Sequence, residues 1–389
     1  MPLRAELTYV YGPEWIDIGP SRLATPETYV ELEGRTAYGD RSRIDFHATS
    51  ADWQESDRVF AGVLTAFGSR TGVFPIGGHG TFDGVMVNSV RRPRIEGRFA
   101  GERMRACEVV WGAATGRAVI ENSYADVANA VIGTGDSVIH ADGRFSLGFP
   151  RRDGGEEINA RIRVIRRPLS DLRHAFALDD YNVDGLFSGE FHVFGAYLTP
   201  YGFGQMAVVD GVAYGEPFET ATSAVRLDGD GVRLDSLQMV KAGGRASGAA
   251  YVGFNGTYSF NLDGRGIPLD SVVMVTSSAT PPLSGRLDFT AGGSGTFDRP
   301  RYDVRATISD FFVGDEGIGQ LSGEMNISAD LLTLKFEAAS PRLAVSGAGR
   351  IALTPEMDAE LSFSVADTSL DPYVRAFNPQ LSPFTTAIA

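Results

Sequence analysis

Apolar and polar residues alternate with period two along most of this chain, and no other feature limits its fold so strongly. Arg301-Tyr302-Asp303-Val304-Arg305-Ala306-Thr307-Ile308 shows the pattern. It returns in Glu324-Met325-Asn326-Ile327-Ser328-Ala329-Asp330-Leu331, in Leu332-Thr333-Leu334-Lys335-Phe336-Glu337 and in Ala359-Glu360-Leu361-Ser362-Phe363-Ser364-Val365. Earlier stretches, such as Tyr29-Val30-Glu31-Leu32-Glu33 and Arg161-Ile162-Arg163-Val164, read the same way. Successive side chains of a strand point to opposite faces, so each run has one apolar and one wet face. That is the signature of an antiparallel sheet solvated on one side. Asn255-Gly256, Asp263-Gly264, Asp228-Gly229, Asp142-Gly143 and Asp210-Gly211 predict tight hairpin turns between runs, because these dipeptides tolerate positive φ.

Helical signals are few. Val59, Phe60, Val63, Leu64 and Phe67 share a helical face after a cap at Ser50 or Asp52, which predicts a small helix over 52–67. Ser170–Phe176 and Ser369–Phe377 predict two further short helices, the second with Pro372 in its first turn. Internal echoes set the organisation. Gly78-His79-Gly80-Thr81-Phe82-Asp83 recurs as Gly293-Ser294-Gly295-Thr296-Phe297-Asp298, and Arg92-Pro93-Arg94 as Arg299-Pro300-Arg301. Phe187-Ser188-Gly189 echoes Leu283-Ser284-Gly285 and Leu321-Ser322-Gly323, and Pro168-Leu169 echoes Pro268-Leu269 and Ser369-Leu370. The expected organisation is an incomplete first β unit (1–50), a helical connector (51–68), β-repeat units at 69–170, 171–270 and 271–370, and the start of a further unit (371–389).

Composition excludes several functions. A net charge of -14 makes a poor nucleic-acid binder, since that affinity rests on Lys and Arg meeting phosphates. The single cysteine, Cys107, forms no internal disulfide and no thiolate metal site. His47, His79, His140, His174 and His192 make no zinc-ligand spacing. Gly77-Gly78-His79-Gly80 faintly resembles an oxyanion loop but has no nucleophile motif beside it. Asp180-Tyr181-Asn182-Val183-Asp184-Gly185 matches the first half of a calcium loop, yet Phe191 stands where the twelfth-position acid belongs. The chain reads as no enzyme, with no catalytic residue, metal or cofactor. No apolar run reaches the ~20 residues that span a bilayer. Met1–Glu6 lacks a signal peptide's apolar stretch, and Leu381–Ala387 reads as a unit cut short, so an internal piece of a longer protein is expected.

The Gly-Thr-Phe strand start, the Arg-Pro-Arg after it, the Leu-Ser-Gly restarts and the Pro-Leu connector together resemble the TamB branch of the AsmA-like envelope proteins. The resemblance covers essentially the whole chain and rests on repeat texture. It implies an all-β fold: an elongated antiparallel β-taco or β-groove of repeated strand meanders with short helical connectors. It also implies a periplasmic place in an inner-membrane-anchored envelope protein. The implied role is phospholipid transport to the outer membrane, with translocation and assembly of outer-membrane and secreted proteins beside an Omp85-type barrel. The resemblance places the anchor and the barrel-docking region outside this chain.

Residue chemistry points the same way. A whole sheet face of Ile, Val, Leu and Phe left in water costs ~1.5–3 kcal/mol per side chain. The few helices are too small to cover it, so the sheet is expected to curl and offer its apolar lining to phospholipid acyl chains. The expected lining is Tyr302, Val304, Ala306, Ile308, Met325, Ile327, Ala329, Leu331, Leu334, Phe336, Leu361, Phe363 and Val365. Two other readings use the same pattern: a scaffold that receives strands at its sheet edge, and a β-solenoid or adhesin-like stalk with a filled core.

Overall fold

The structure is a computed structural model. It describes residues 2–37, 39, 41–66, 76–89, 92–147, 154–176, 178–276, 281–296, 298–340, 343–354, 357–366, 368–369 and 387–388. The fold is all-β and antiparallel. In chain order the elements begin β1 (Arg4–Glu6), β2 (Tyr9–Tyr11), β3 (Trp15–Ala24), β4 (Thr28–Ala37), β5 (Ser42–Ser50) and α1 (Trp53–Ala66). Next come β6 (Gly77–Ser89), β7 (Arg92–Ala106), β8 (Val109–Glu121), β9 (Tyr124–Thr134), β10 (Ser137–Ser146), β11 (Ile158–Pro168) and α2 (Leu169–Ala175). They are followed by β12 (Val183–Gly195), β13 (Pro200–Ala213), β14 (Glu216–Asp228), β15 (Gly231–Lys241), β16 (Gly244–Gly253) and β17 (Thr257–Pro268). A 3₁₀ turn (Leu269–Ser271) and α3 (Val273–Thr276) lead into β18 (Leu283–Thr296), β19 (Arg299–Val313), β20 (Glu316–Ser328), β21 (Leu331–Ser340), β22 (Leu343–Ala352) and β23 (Ala359–Ala366). Twenty-three strands belong to the sheet, and β24 (Thr368–Ser369) with β25 (Ala387–Ile388) forms a separate pair. Among the described residues no helix is long and apolar enough to cross a membrane.

The chain divides into two compact units, Met1–Tyr181 with Phe187–Gly204, and Asn182–Leu186 with Gln205–Ala389. In the first, β3 to β11 pair consecutively. In the second, β14 to β23 do the same.

The predicted helix over 52–67 is α1, with Phe67 outside the described residues. Asp52 is its cap: its carboxylate accepts from the Gln54 amide at 3.0 Å. Glu55 then ties the helix to the β3–β4 turn, accepting from the Thr25 hydroxyl and, at 2.9 Å, from the Glu27 amide. The Thr25 bond holds the Glu55 carboxyl below its ordinary range. The helix expected at Ser170–Phe176 is α2. For the one expected at Ser369–Phe377, Ser369 is in β24 and the rest lies outside the described residues.

Three of the five predicted turns are not turns. Asp142-Gly143, Asp210-Gly211 and Asp263-Gly264 lie inside β10, β13 and β17. Asp142-Gly143 sits at a register shift against β9, and Asp210 has φ 51°. A residue at positive φ serves a bulge as well as a hairpin.

Positive-φ positions recur along the chain at a fixed interval. Gly185 and Gly285 open β12 and β18 at φ 137° and 148°. Asp210 and Asp310 bulge the following strands at φ 51° and 50°, and Tyr214 and Gly314 turn them at 51° and 59°. Upstream, Arg166 and Gly266 bulge at 49° and 62°, each followed by a proline that leads into a short helix. Every one of these pairs is offset by the same 266 − 166 = 100 positions. Gly78, Arg103 and Cys107 repeat the strand part once more, at φ 111°, 50° and 50°. The echo of Gly78–Asp83 in Gly293–Asp298 is therefore not structural, since Gly78 begins β6 whereas Gly293 is near the end of β18. Likewise Gly285 matches Gly185, not Gly189.

At the connector rim of the first unit the sheet coils tightly. Arg167, at the end of β11, is 3% exposed. Its guanidinium donates to the Val110 carbonyl at 2.9 Å and the Trp111 carbonyl at 3.4 Å, although β9 and β10 lie between these strands in the ladder. It also pairs with Asp171 of α2 at 2.7 Å and lies 4.8 Å from the Trp111 ring centre.

Candidate functional site

The site that the residues build is the apolar face of the second unit's sheet. Directly paired residues of antiparallel strands share a face, so the register converts alternation into rows running across the strands. One row is Leu234, Ala250, Phe260, Gly293, Tyr302, Ile327, Leu332, Ile351 and Ala359. The next is Leu237, Gly248, Leu262, Ala291, Val304, Met325, Leu334, Gly349 and Leu361. A third is Met239, Ala246, Gly264, Phe289, Ala306, Gly323, Phe336, Gly347 and Phe363. A fourth, nearest the connector, is Ile267, Leu287, Ile308, Leu321, Ala338, Val345 and Val365. No charged side chain interrupts them.

The register thus brings Tyr302, Val304, Ala306, Ile308, Met325, Ile327, Leu334, Phe336, Leu361, Phe363 and Val365 onto one face. Two expected members fall elsewhere. Ala329 is in the β20–β21 turn, at φ 53°. Leu331 pairs with Ser328 and is 42% exposed on the opposite face. The continuous alternation across Ala329-Asp330-Leu331 hides a hairpin, and the two turn residues shift the parity. Leu332, which pairs with Ile327, holds the place expected of Leu331.

Glycine and aromatic residues fit together on this face. A Cβ on Gly293 would lie 2.5 Å from the Phe260 ring and 2.7 Å from that of Tyr302. One on Gly264 would meet Phe289 at 2.2 Å, and one on Gly347 would meet Phe336 at 2.4 Å. Rings lie over the glycines of neighbouring strands and cover their bare backbone. Tyr258, Phe260 and Tyr302 form a cluster with centroids 5.9–6.3 Å apart. Burial, with a hydrogen bond to the Tyr258 hydroxyl, pushes the Tyr302 phenol up to about 12.

The face is unevenly covered. At the connector end Leu269, Phe311, Val313, Ile318 and Ala338 are buried, with Val275, Ile308, Leu321 and Val345 packed against them. Elsewhere the large side chains are mostly half-buried, and exposure is highest toward the last strand: Met325 is 38% exposed, and Leu361 and Phe363 of β23 are 48% and 64% exposed. No large side chain among the described residues is fully buried.

The opposite face is wet and its charges answer one another. Arg305 pairs with Glu324 at 3.2 Å and Arg350 with Glu360 at 2.6 Å, and Asn326 donates to Asp303 at 2.6 Å. These side chains line a depression of about 1010 Å³ on this polar face. Among the described residues no three His, Cys, Asp or Glu side chains converge as a metal site. No family model, no curated protein and no solved structure matches the chain.

Proposed function

We propose that this chain is a segment of a periplasmic envelope protein that carries phospholipid acyl chains between membranes along its apolar sheet face. In this reading the segment belongs to a translocation and assembly module that also serves outer-membrane and secreted proteins, with an Omp85-type barrel as partner through regions outside this chain. One observation carries the reading: apolar rows cross the strands from β15 to β23 unbroken by charge, and Met325, Leu361 and Phe363 on them are 38%, 48% and 64% exposed rather than packed away. Moving a chain of ~15 methylenes through water costs ~12 kcal/mol, and a continuous apolar surface removes most of that barrier without any specific site. The alternative is a structural β-solenoid or adhesin-like stalk, and the exposure of Met325, Leu361 and Phe363 counts against a filled interior.

A photo-crosslinking residue at Ile327 or Leu334 tests the reading in cells. It is expected to capture lipid, whereas the same residue at Ser328 or Thr333, on the wet face, is not. Equal capture at all four positions, or none anywhere, sinks the proposal.

A further inference from the structure

On the wet face of the first unit a row of charged side chains, Arg22, Glu31, His47, Asp83, Arg98 and Arg117, crosses from β3 to β8. It ends in two arginines side by side: Arg98 of β7 stands directly opposite Arg117 of β8, and both are exposed. Like charges directly opposite each other in a sheet repel. Elsewhere in the chain the same pairing is answered by acids. Arg35 and Arg43 bind Asp17 at 2.5 Å and Asp45 at 2.8 Å. Arg226 and Arg233 bind Asp235 at 3.3 Å and Asp228 at 3.7 Å. In the Arg245–Arg265 pair, Arg265 lies 3.9 Å from Asp263 and 4.0 Å from Asp288. Among the described residues, neither Arg98 nor Arg117 has an ion pair or a side-chain hydrogen bond. The carboxylates beside them in the ladder are committed to other partners: Asp83 to His47 at 2.5 Å, Glu96 to Arg94 at 2.6 Å and Asp126 to Arg144 at 2.7 Å. In a chain of 49 acidic and 35 basic residues, a shortage of carboxylates does not explain this.

The next row on this face is Thr81, Ala100 and Thr115. Ala100 follows Arg98 by two residues and Thr115 precedes Arg117 by two, so a methyl and a hydroxyl adjoin the guanidiniums and no bulky side chain crowds them. We infer that Arg98 and Arg117, with the Thr115 hydroxyl beside them, form a binding site for a phosphate group. Each guanidinium offers a planar fork of N–H donors, and two forks with a hydroxyl exceed what the two oxygens of one carboxylate take up. A phosphate monoester brings three acceptor oxygens and a charge of about -1.5 to -2, which matches the two cations. A nucleic acid is disfavoured, because the chain as a whole carries -14. A soluble monoester and a phosphatidate headgroup present the same group to the site. The inference does not rest on the acyl-carrying reading, which concerns the apolar face.

The test uses the whole chain and follows calorimetric binding and thermal unfolding as inorganic phosphate is added at constant ionic strength. Phosphate is expected to bind and to raise the melting temperature. Arg98→Gln and Arg117→Gln are each expected to weaken binding about tenfold or more, because each removes a charge-assisted bond. Without phosphate both variants should be at least as stable as the parent, since the repulsion is relieved. Asp83→Asn is expected to tighten binding by removing the acid opposite Arg98, whereas Arg226→Gln, at an arginine already answered by Asp235, should leave it unchanged. Sedimentation with phosphatidylcholine vesicles, with and without phosphatidate, separates the two sources. Capture by phosphatidate that Arg98→Gln abolishes assigns a lipid headgroup, and phosphate binding without vesicle capture assigns a soluble monoester. No phosphate binding by the parent, or binding by Arg98→Gln equal to that by Arg226→Gln, overturns the proposal. So does a loss of stability in phosphate-free Arg98→Gln, which would mean that Asp83 answers Arg98 within the protein.

Discussion

Gly292 and Gly293 are neighbours in β18 and have unlike surroundings. A Cβ on Gly292 would meet only the Phe260 carbonyl at 3.8 Å, whereas one on Gly293 would drive into the Phe260 and Tyr302 rings. Gly293→Ala is expected to cost ~1–3 kcal/mol through overpacking, and Gly292→Ala to be neutral or slightly stabilising by narrowing the unfolded ensemble. Urea unfolding of the two variants checks this; equal effects would mean that the rings do not seat on Gly293. Tyr302 supplies a second handle. Its folded-state pKa of about 12 stands above the ordinary 10.0, so the folded state holds this proton more tightly. The resulting stability is complete below pH 10 and is lost as pH rises through about 12. Absorbance titration of the tyrosinates should show a late-ionising group that Tyr302→Phe removes. Alternation alone makes Tyr302, Ile327 and Leu334 legible as members of one face. It does not show that Ala329-Asp330 is a turn, because alanine and leucine there continue the pattern, and so it puts Leu331 on the wrong face.

The helical connectors carry the elements' strongest polar commitments. Arg167 follows the Arg166 bulge and turns inward, where the equivalent position in the next repeat is the buried Ile267. The same backbone therefore accepts either a hydrocarbon or a guanidinium bonded through both terminal nitrogens. Removing the cation alone leaves the Val110 and Trp111 carbonyls without their donor and a hole against the indole. Arg167→Ala is expected to cost on the order of 3 kcal/mol, and Arg167→Ile distinctly less, because isoleucine refills the volume and Asp171 retains access to water. Denaturant midpoints of the two variants decide the matter. If isoleucine is as damaging as alanine, then the ion pair and carbonyl bonds, not the packing, hold α2 in place. The sequence shows α2 and its Pro-Leu start but conceals the role of Arg167, since a bulge is invisible to a strict period of two. The doubled Arg166-Arg167 before Pro168, breaking the alternation of β11, is the available signal.

At the scale of the whole chain, stability is assembled locally, because strands pair with their sequence neighbours and the connectors reach back only a few strands. Repeat proteins of this kind open in parts, with each part's stability set by its own contacts and those to its neighbours. The all-β class follows from alternation alone. The interval of 268 − 168 = 100 between the Pro-Leu connectors is legible too. The register of the repeats within the strands is not, because glycine is used both at positive φ and beneath rings, so short Gly-containing strings match out of register. This locality separates the carrier from the stalk in one variant, Ile327→Arg. In a half-open face the arginine can reach water from among Tyr302, Leu332 and Met325 by extending its long side chain. Hydrogen exchange is then expected to speed up modestly over β19–β22 and to stay unchanged over β3–β11, while lipid capture at Leu334 falls severalfold. A filled stalk core responds differently, since a buried unpaired charge would unfold the strands around it. Loss of all protection from β18 to β23 in this variant, with no lipid bound to the parent protein, would identify the face as a core and not a carrying surface.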